Sequence, residues 1–274
     1  MNKIIFADNL IYLRTIPDGY VDLIYSDPPF NTHKSQKRNK IKAEISENGL
    51  VGFGGNVYSR NIDGQYGSYD DNFDDYIGFL KPRLQEAYRI LKPNGTMYLH
   101  LNWREVHYIK IEMDKIFGRN CFKSECIWHW DYGSKPRNNW AAKHDTILMY
   151  VKNEKHYTFN YDKVPRIKYL APDLAGKEKA AKGKAITNVW WHTIVGTNSK
   201  EKQCYSTQKP LGILRRIVEV SSNPNDICLD FFAGSGSLGE ACGELNRQFI
   251  MVDNNPQAFA IMKKRLAKYN IQTF

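Results

Sequence analysis

Short apolar runs alternate with amphipathic stretches along most of the chain. Near the start, "KIIFA" and "VDLIYSD" read as brief buried strands, with "LIYLRTIPDG" between them as a turn or short helix. Ile77, Leu80, Leu84, Ala87 and Leu91 then recur at helical spacing, and "KPNG" predicts the end of that helix before a strand "TMYLHL". Pro82 lies inside the pattern and predicts a kink or a restart. "WREVHYIKIEMDKIFG" predicts a further amphipathic helix closing at Gly118. From about 120 to 205 the rhythm breaks, as aromatic-rich segments such as "ECIWHWDYG" and "TILMYVKN" alternate with basic loops; an inserted subdomain is expected there. The rhythm resumes as helix "PLGILRRIVEVSS", strand "DICLDFF", helix "SLGEACGELN", strand "QFIMVD" and helix "PQAFAIMKKRLAKY". Strands alternating with helices predict an α/β fold with a mostly parallel sheet covered on both faces. Residues 31–72 are polar and glycine-rich, too long for an ordinary connection, and predict a functional or mobile loop.

Composition changes the picture in two ways. With 274 residues, 42% of them hydrophobic and 25% charged, the chain can bury a large core, and no apolar stretch approaches a membrane span. "MNKIIFADN" lacks the apolar core and cleavage site of a secretory signal. Cys121, Cys126, Cys204, Cys228 and Cys242 form no C-x-x-C pair, so reduced thiols and a cytoplasmic location are expected rather than a disulfide framework or zinc site. His100, His107, His129 and His144 lack metal-ligand spacing and read as surface or hydrogen-bonded core residues; no metal is expected.

The formal net charge of +10 is the second change, because it suits a polyanionic partner. Part of it is concentrated. "HKSQKRNKIK" places Lys34, Lys37, Arg38, Lys40 and Lys42 together without an acid, and residues 161–185 are also rich in lysine. Both stretches read as loops that could mould onto a nucleic-acid backbone, with Lys34, Lys37, Arg38 and Lys40 as the candidate contacts.

Two motifs carry chemistry. "LDFFAGSGSLGE" follows one strand and opens a helix, so its glycines allow close backbone approach to a ligand. The next strand ends in Asp253, an acid placed for ribose hydroxyls, which points to an adenosine-containing cofactor. A dinucleotide site and an S-adenosylmethionine site both look like this. The other motif, "SDPPFN", puts Asp27, Pro28, Pro29 and Phe30 directly behind a buried strand. A nicotinamide-dependent oxidoreductase would leave that corner and both basic stretches unexplained.

Together, Asp27-Pro28-Pro29-Phe30 and Phe232-Ala233-Gly234-Ser235-Gly236 resemble the D-P-P-[YF] and F-x-G-x-G motifs of the amino-methyltransferases of DNA. Their order, catalytic motif before cofactor loop, resembles the beta group. "WAAKHDTILMYVKN" and "YSTQKPLGILRRIVEVSS" are similar to further segments of that family. The resemblance implies a Rossmann-like class I methyltransferase fold, S-adenosylmethionine as cofactor and double-stranded DNA as substrate. It also implies methylation of an exocyclic amine on a base flipped out of the duplex. Adenine N6 is the expected target, since relatives that modify cytosine N4 usually carry Ser before the two prolines; cytosine N4 is the alternative.

An amino group conjugated with its ring is a poor nucleophile. Acceptors aimed at its N–H bonds favour the form whose lone pair is free, and Asp27 with the Pro28 carbonyl can supply them, stiffened by Pro29. Phe30 can stack on the extruded base. By resemblance, Asp27 also borders the cofactor, Asp8 lies near its adenine and Lys209 approaches its methionine carboxylate, with Thr207 as a neighbour. Asp230 orients the methionine amino group, Phe232 packs on the cofactor, Ala233, Gly234, Ser235 and Gly236 shape the loop, and Asp253 holds the ribose. The family commonly has His-Pro where this chain has Tyr205-Ser206, so a ligand contact from position 205 stays open. The expected organisation is a catalytic half at 1–119, a target-recognition region at 120–205 and a cofactor-binding half at 206–274. A stand-alone modification enzyme is expected, monomeric or homodimeric, with a separately encoded cognate restriction endonuclease as its partner.

Overall fold

The first part of the chain runs β1 (Asn2–Phe6), α1 (Asn9–Leu13), β2 (Val21–Ser26), β3 (Lys34–Val51), β4 (Val57–Asp71), α2 (Tyr76–Ile90), β5 (Leu91–Leu101) and α3 (Val106–Phe117). Next come β6 (Phe122–His129), β7 (His144–Val151), β8 (Arg166–Ile167), α4 (Pro172–Ala175), α5 (Lys177–Lys182), β9 (Lys184–Ala185) and β10 (Val189–Trp191). The chain ends with α6 (Leu211–Ser221), β11 (Ile227–Asp230), α7 (Ser237–Glu244), β12 (Gln248–Asp253), α8 (Pro256–Leu266) and β13 (Ile271–Thr273). This computed structural model describes residues 2–51, 55, 57–133, 135–196, 198–203 and 205–274, with the side chains of 34–51, 58 and 60–70 outside the description.

Nine strands form one sheet in the order β10-β6-β7-β5-β2-β11-β12-β1-β13. All neighbours are parallel except β7, which runs against both β5 and β6. The expected α/β sheet with helices on both faces is what forms. Side chains alternate across a strand, so Ile24 of β2 packs with Leu80 and Leu84 of α2 and Ile109 and Met113 of α3 on one face. Leu23 and Tyr25 point the other way, into a second core with Ile213 and Ile217 of α6, Leu238 of α7 and Met262 of α8. β2 is buried at every position, which explains its unbroken apolar reading.

Three expectations need correction. Pro82 marks no restart, since its helix runs from Tyr76 to Ile90. Residues 31–72 are mostly not a loop: β3 and β4 pair as an antiparallel ribbon from Lys34↔Asp71 to Val51↔Val57, separate from the main sheet. Lys34, Lys37, Arg38 and Lys40 fall on β3, where their side chains lie outside the described residues. Finally, the stretch 120–205 begins as core, because β6 and β7 hydrogen-bond into the central sheet and β10 extends its edge. Seven of the eight β7 residues are buried, an apolar run that belongs to a sheet interior. Among the described residues, the connection 130–143 and much of 152–205 leave the sheet. Among the described residues, no helix is long and apolar enough to cross a membrane.

Candidate active site

Strands β2 and β11 are parallel neighbours, pairing Leu23 with Cys228 and Ile24 with Leu229. Their C-terminal ends therefore open at the same edge, where parallel α/β sheets bind ligands. The two motifs meet there. A cavity of about 380 Å³ is lined by Asp27, Pro28, Pro29 and Phe30 from one corner and by Asp230, Phe232, Ala233, Gly234 and Ser235 from the other. Asp8, Thr207, Lys209 and Asp253 also line it, as do Tyr25, Phe79 and Arg83, together with Tyr205, the position left open by the sequence. Gly236 sits one step behind: with φ +72°, it packs so closely that a Cβ would come 2.9 Å from Met262 Cγ.

The proline corner is clamped from several sides. Lys209 Nζ donates to Asp27 Oδ2 at 2.5 Å and lies 4.8 Å from the centre of the Phe30 ring. Asp27 Oδ1 is buried and has no hydrogen-bond partner among the described residues. Tyr76 donates its hydroxyl to the Pro29 carbonyl at 2.6 Å. Asn31 follows in the left-handed region (φ 52°), which Asn tolerates better than most residues. Its backbone N–H donates to Asp71 Oδ1 at 2.8 Å and its side-chain amide to Glu105 Oε1 at 2.8 Å. Thr32 bonds the other Asp71 oxygen through its N–H and its hydroxyl. Thus the last residue of the ribbon holds the end of the motif.

The glycine turn is held by the acid of the next strand. Gly234 adopts φ +50° and donates its N–H to Asp253 Oδ2 at 2.8 Å, while Asn255 N–H donates to Oδ1 at 2.8 Å. A Cβ at Gly234 would lie 3.0 Å from Cε1 of Tyr205, so glycine leaves room for that ring. Asp230 ends β11 almost wholly buried, and accepts from Phe232 N–H. Burial pushes its carboxyl well above the ordinary range, and the charges of Asp27 and Asp253 push the same way. Burial also raises Asp253, against the bonds from the backbone N–H groups around it.

Around Asp8 lies a cluster that the sequence did not disclose. Asp8 caps α1 by accepting from Ile11 N–H, and pairs with Arg83 Nη2 at 3.3 Å. Arg83 bonds Asn9 Oδ1 through Nε at 2.6 Å and lies 4.0 Å from the Phe79 ring centre. Asn9 in turn donates to the Phe231 carbonyl at 2.7 Å. Phe79 packs on Phe232 at 6.0 Å, so α2 supplies one wall of the cavity. Among the described residues, no group of three or more His, Cys, Asp or Glu side chains is placed to hold a metal.

A family model for N6 and N4 methylases, described as a DNA methylase, matches residues 21–264. The chain belongs to this DNA methylase family. It is 31% identical over 268 residues to the Type II methyltransferase M.HpaI of Haemophilus parainfluenzae, covering 96% of this chain and 74% of that protein. It is 30% identical over 276 residues to the DNA adenine methyltransferase YhdJ of Escherichia coli (strain K12), covering 96% of this chain and 82% of that protein. Among solved structures, the M1.HpyAVI–SAM complex is similar with a TM-score of 0.60 and 24% identity, covering 97% of this chain and 99% of that one. At that identity the structural likeness speaks for the fold. The family resemblance drawn from the two motifs therefore holds.

Proposed function

We propose that this DNA methylase transfers a methyl group from S-adenosylmethionine to N6 of adenine in double-stranded DNA, with the base flipped into the cleft. The observation that carries this is Asp27: one carboxylate oxygen is bound by Lys209, while the other is buried, unpartnered and part of the cavity shared with the glycine turn. A buried acceptor left without a donor is costly, and an incoming N–H group relieves that cost.

The side chains fit the cofactor. Buried Asp230 gains a counter-charge from an ammonium group, and Lys209, with three N–H donors, can keep Asp27 while meeting a carboxylate. Phe232 and Phe79 offer apolar surface, Asp253 accepts from ribose hydroxyls and Asp8 stands at the adenine end. When bound, S-adenosylmethionine supplies an electrophilic methyl group. Asp27 Oδ1 and the Pro28 carbonyl accept the two N–H bonds of the target amine, which frees its lone pair. Phe30 stacks on the base. Positive charge develops on nitrogen during transfer, and the Asp27 carboxylate favours that state over the ground state. Adenine is favoured over cytosine N4 by Asp27 ahead of the prolines and by the similarity to a DNA adenine methyltransferase.

In this reading, the ribbon carrying Lys34, Lys37, Arg38 and Lys40 approaches the DNA backbone. The segments between 120 and 205 that leave the sheet read its sequence. Similarity to Type II methyltransferases supports a modification role beside a separately encoded restriction endonuclease. In this reading the protein works in the cytoplasm as a monomer or homodimer. The test is nucleoside analysis of DNA incubated with the protein and labelled S-adenosylmethionine. Label in N6-methyldeoxyadenosine is expected; label in N4-methyldeoxycytidine overturns the base assignment, and no label overturns the reading entirely.

A further inference from the structure

His100, on β5, packs beside the Phe30 ring. It is wholly buried, between Tyr25 of β2 and Asp145 of β7, which are 1% and 9% exposed. A carboxylate only accepts, so Nε2 donates to Asp145 Oδ2, at 3.1 Å. With a neutral ring, Nδ1 then accepts from the Tyr25 hydroxyl at 2.8 Å. Bonds at both ring nitrogens fix where the imidazole sits and how it is rotated. Its neighbours are Phe30, centroid to centroid 5.9 Å at 40°, and Trp128, 5.7 Å at 83°. An apolar side chain would fill this space without burying three polar groups that each need a partner. A flat ring held at a set angle against Phe30 is what the polar arrangement adds.

We propose that His100 is a positioning residue for the target base. Held by Tyr25 and Asp145, it sets the tilt at which Phe30 meets a base turned out of the duplex. His100 is not part of the cavity lining, so it acts through the two lining side chains it meets, Phe30 and Tyr25. The proposal rests on the methyltransferase reading above.

The test uses a duplex carrying 2-aminopurine at the methylated position, located by mapping the wild-type product. His100→Gln keeps a polar group between Tyr25 and Asp145 but removes the ring. Asp145→Leu breaks the network from the far side without touching Phe30. Both are expected to raise the KM for DNA and to lower the flipped-base fluorescence by about fivefold or more, the low end of what a lost base–aromatic stack costs. Cofactor affinity should stay at the wild-type value. Tyr25→Phe, a milder change that removes one hydroxyl, should move both readouts in the same direction and serves if the other two fail to fold. Folded variants with fluorescence and KM within about twofold of wild type overturn the proposal. So does a fall in kcat with KM and fluorescence unchanged. Failure of wild-type protein to methylate DNA at all would instead count against the functional reading.

Discussion

Lys209 and Asp27 lie 182 positions apart in the chain, yet the lysine Nζ is 2.5 Å from Asp27 Oδ2. Their side chains are 10% and 14% exposed, so the pair is largely removed from water. The ion pair joins the segment before α6 to the end of β2, and leaves Asp27 Oδ1 without a partner among the described residues. The sequence resemblance sends Lys209 to the cofactor alone; the structure gives it a second task, which is to hold the Asp27 carboxylate.

Removing one member of such a pair strands the other. Lys209→Met should destabilise the protein by about 1–3 kcal/mol, because it leaves a mostly buried carboxylate uncompensated near Asp230. Adding Asp27→Asn should recover much of that loss without restoring methyl transfer. Chemical denaturation of both single variants and the double variant checks this; strict additivity of the two effects would show that the residues are not coupled.

Asp230 predicts a conflict between stability and binding. Its carboxyl is raised by burial, so between the ordinary carboxylate range and its own higher value the folded state holds a proton that the unfolded state has released. Stability from this group is therefore intact at low pH and falls as pH rises through that window. At neutral pH, Asp230→Asn should stabilise the cofactor-free protein by about 1 kcal/mol or more, since a tenfold change in proton affinity is worth about 1.4 kcal/mol. The same change should weaken S-adenosylmethionine binding. Thermal melts from pH 4 to pH 8, with calorimetric titration of the cofactor, would separate the two effects; a destabilised variant at neutral pH contradicts the assignment.

The two glycines of the turn should fail differently. Gly236→Ala places a methyl group 2.9 Å from Met262 Cγ at φ +72°, and is expected to lower stability by about 1–3 kcal/mol through strain and overpacking. Gly234→Ala meets the Tyr205 ring at the cavity wall, so its main cost should appear in cofactor affinity. Equal melting temperatures with equal cofactor affinities for the two variants would refute this division.

Much of the fold was legible because β2, β11 and β12 are short apolar runs and their helices carry 3.6-residue periodicity. The ribbon β3–β4 was not, since its sequence is polar and glycine-rich and its strands pair with each other apart from the main sheet. No apolar alternation marks its register. At the site, the two motifs disclosed the cavity's main walls. Arg83 could not be read the same way: in the sequence it is one more charge on an amphipathic helix, and only the fold turns it toward Asp8 and Asn9. His100 was set aside for want of metal-ligand spacing, and its meaning depends on Tyr25 and Asp145 arriving from two other strands. Tyr205, where the family pattern is broken, lies against Gly234 in the cavity wall.

The central claim is that the unpartnered oxygen of Asp27 grips the amine that receives the methyl group. Its most direct test is methyl transfer by Asp27→Ala, measured with labelled S-adenosylmethionine beside DNA-binding affinity for the same protein. The account predicts that transfer is abolished while DNA binding stays within a few-fold of wild type. Wild-type turnover by Asp27→Ala would contradict it.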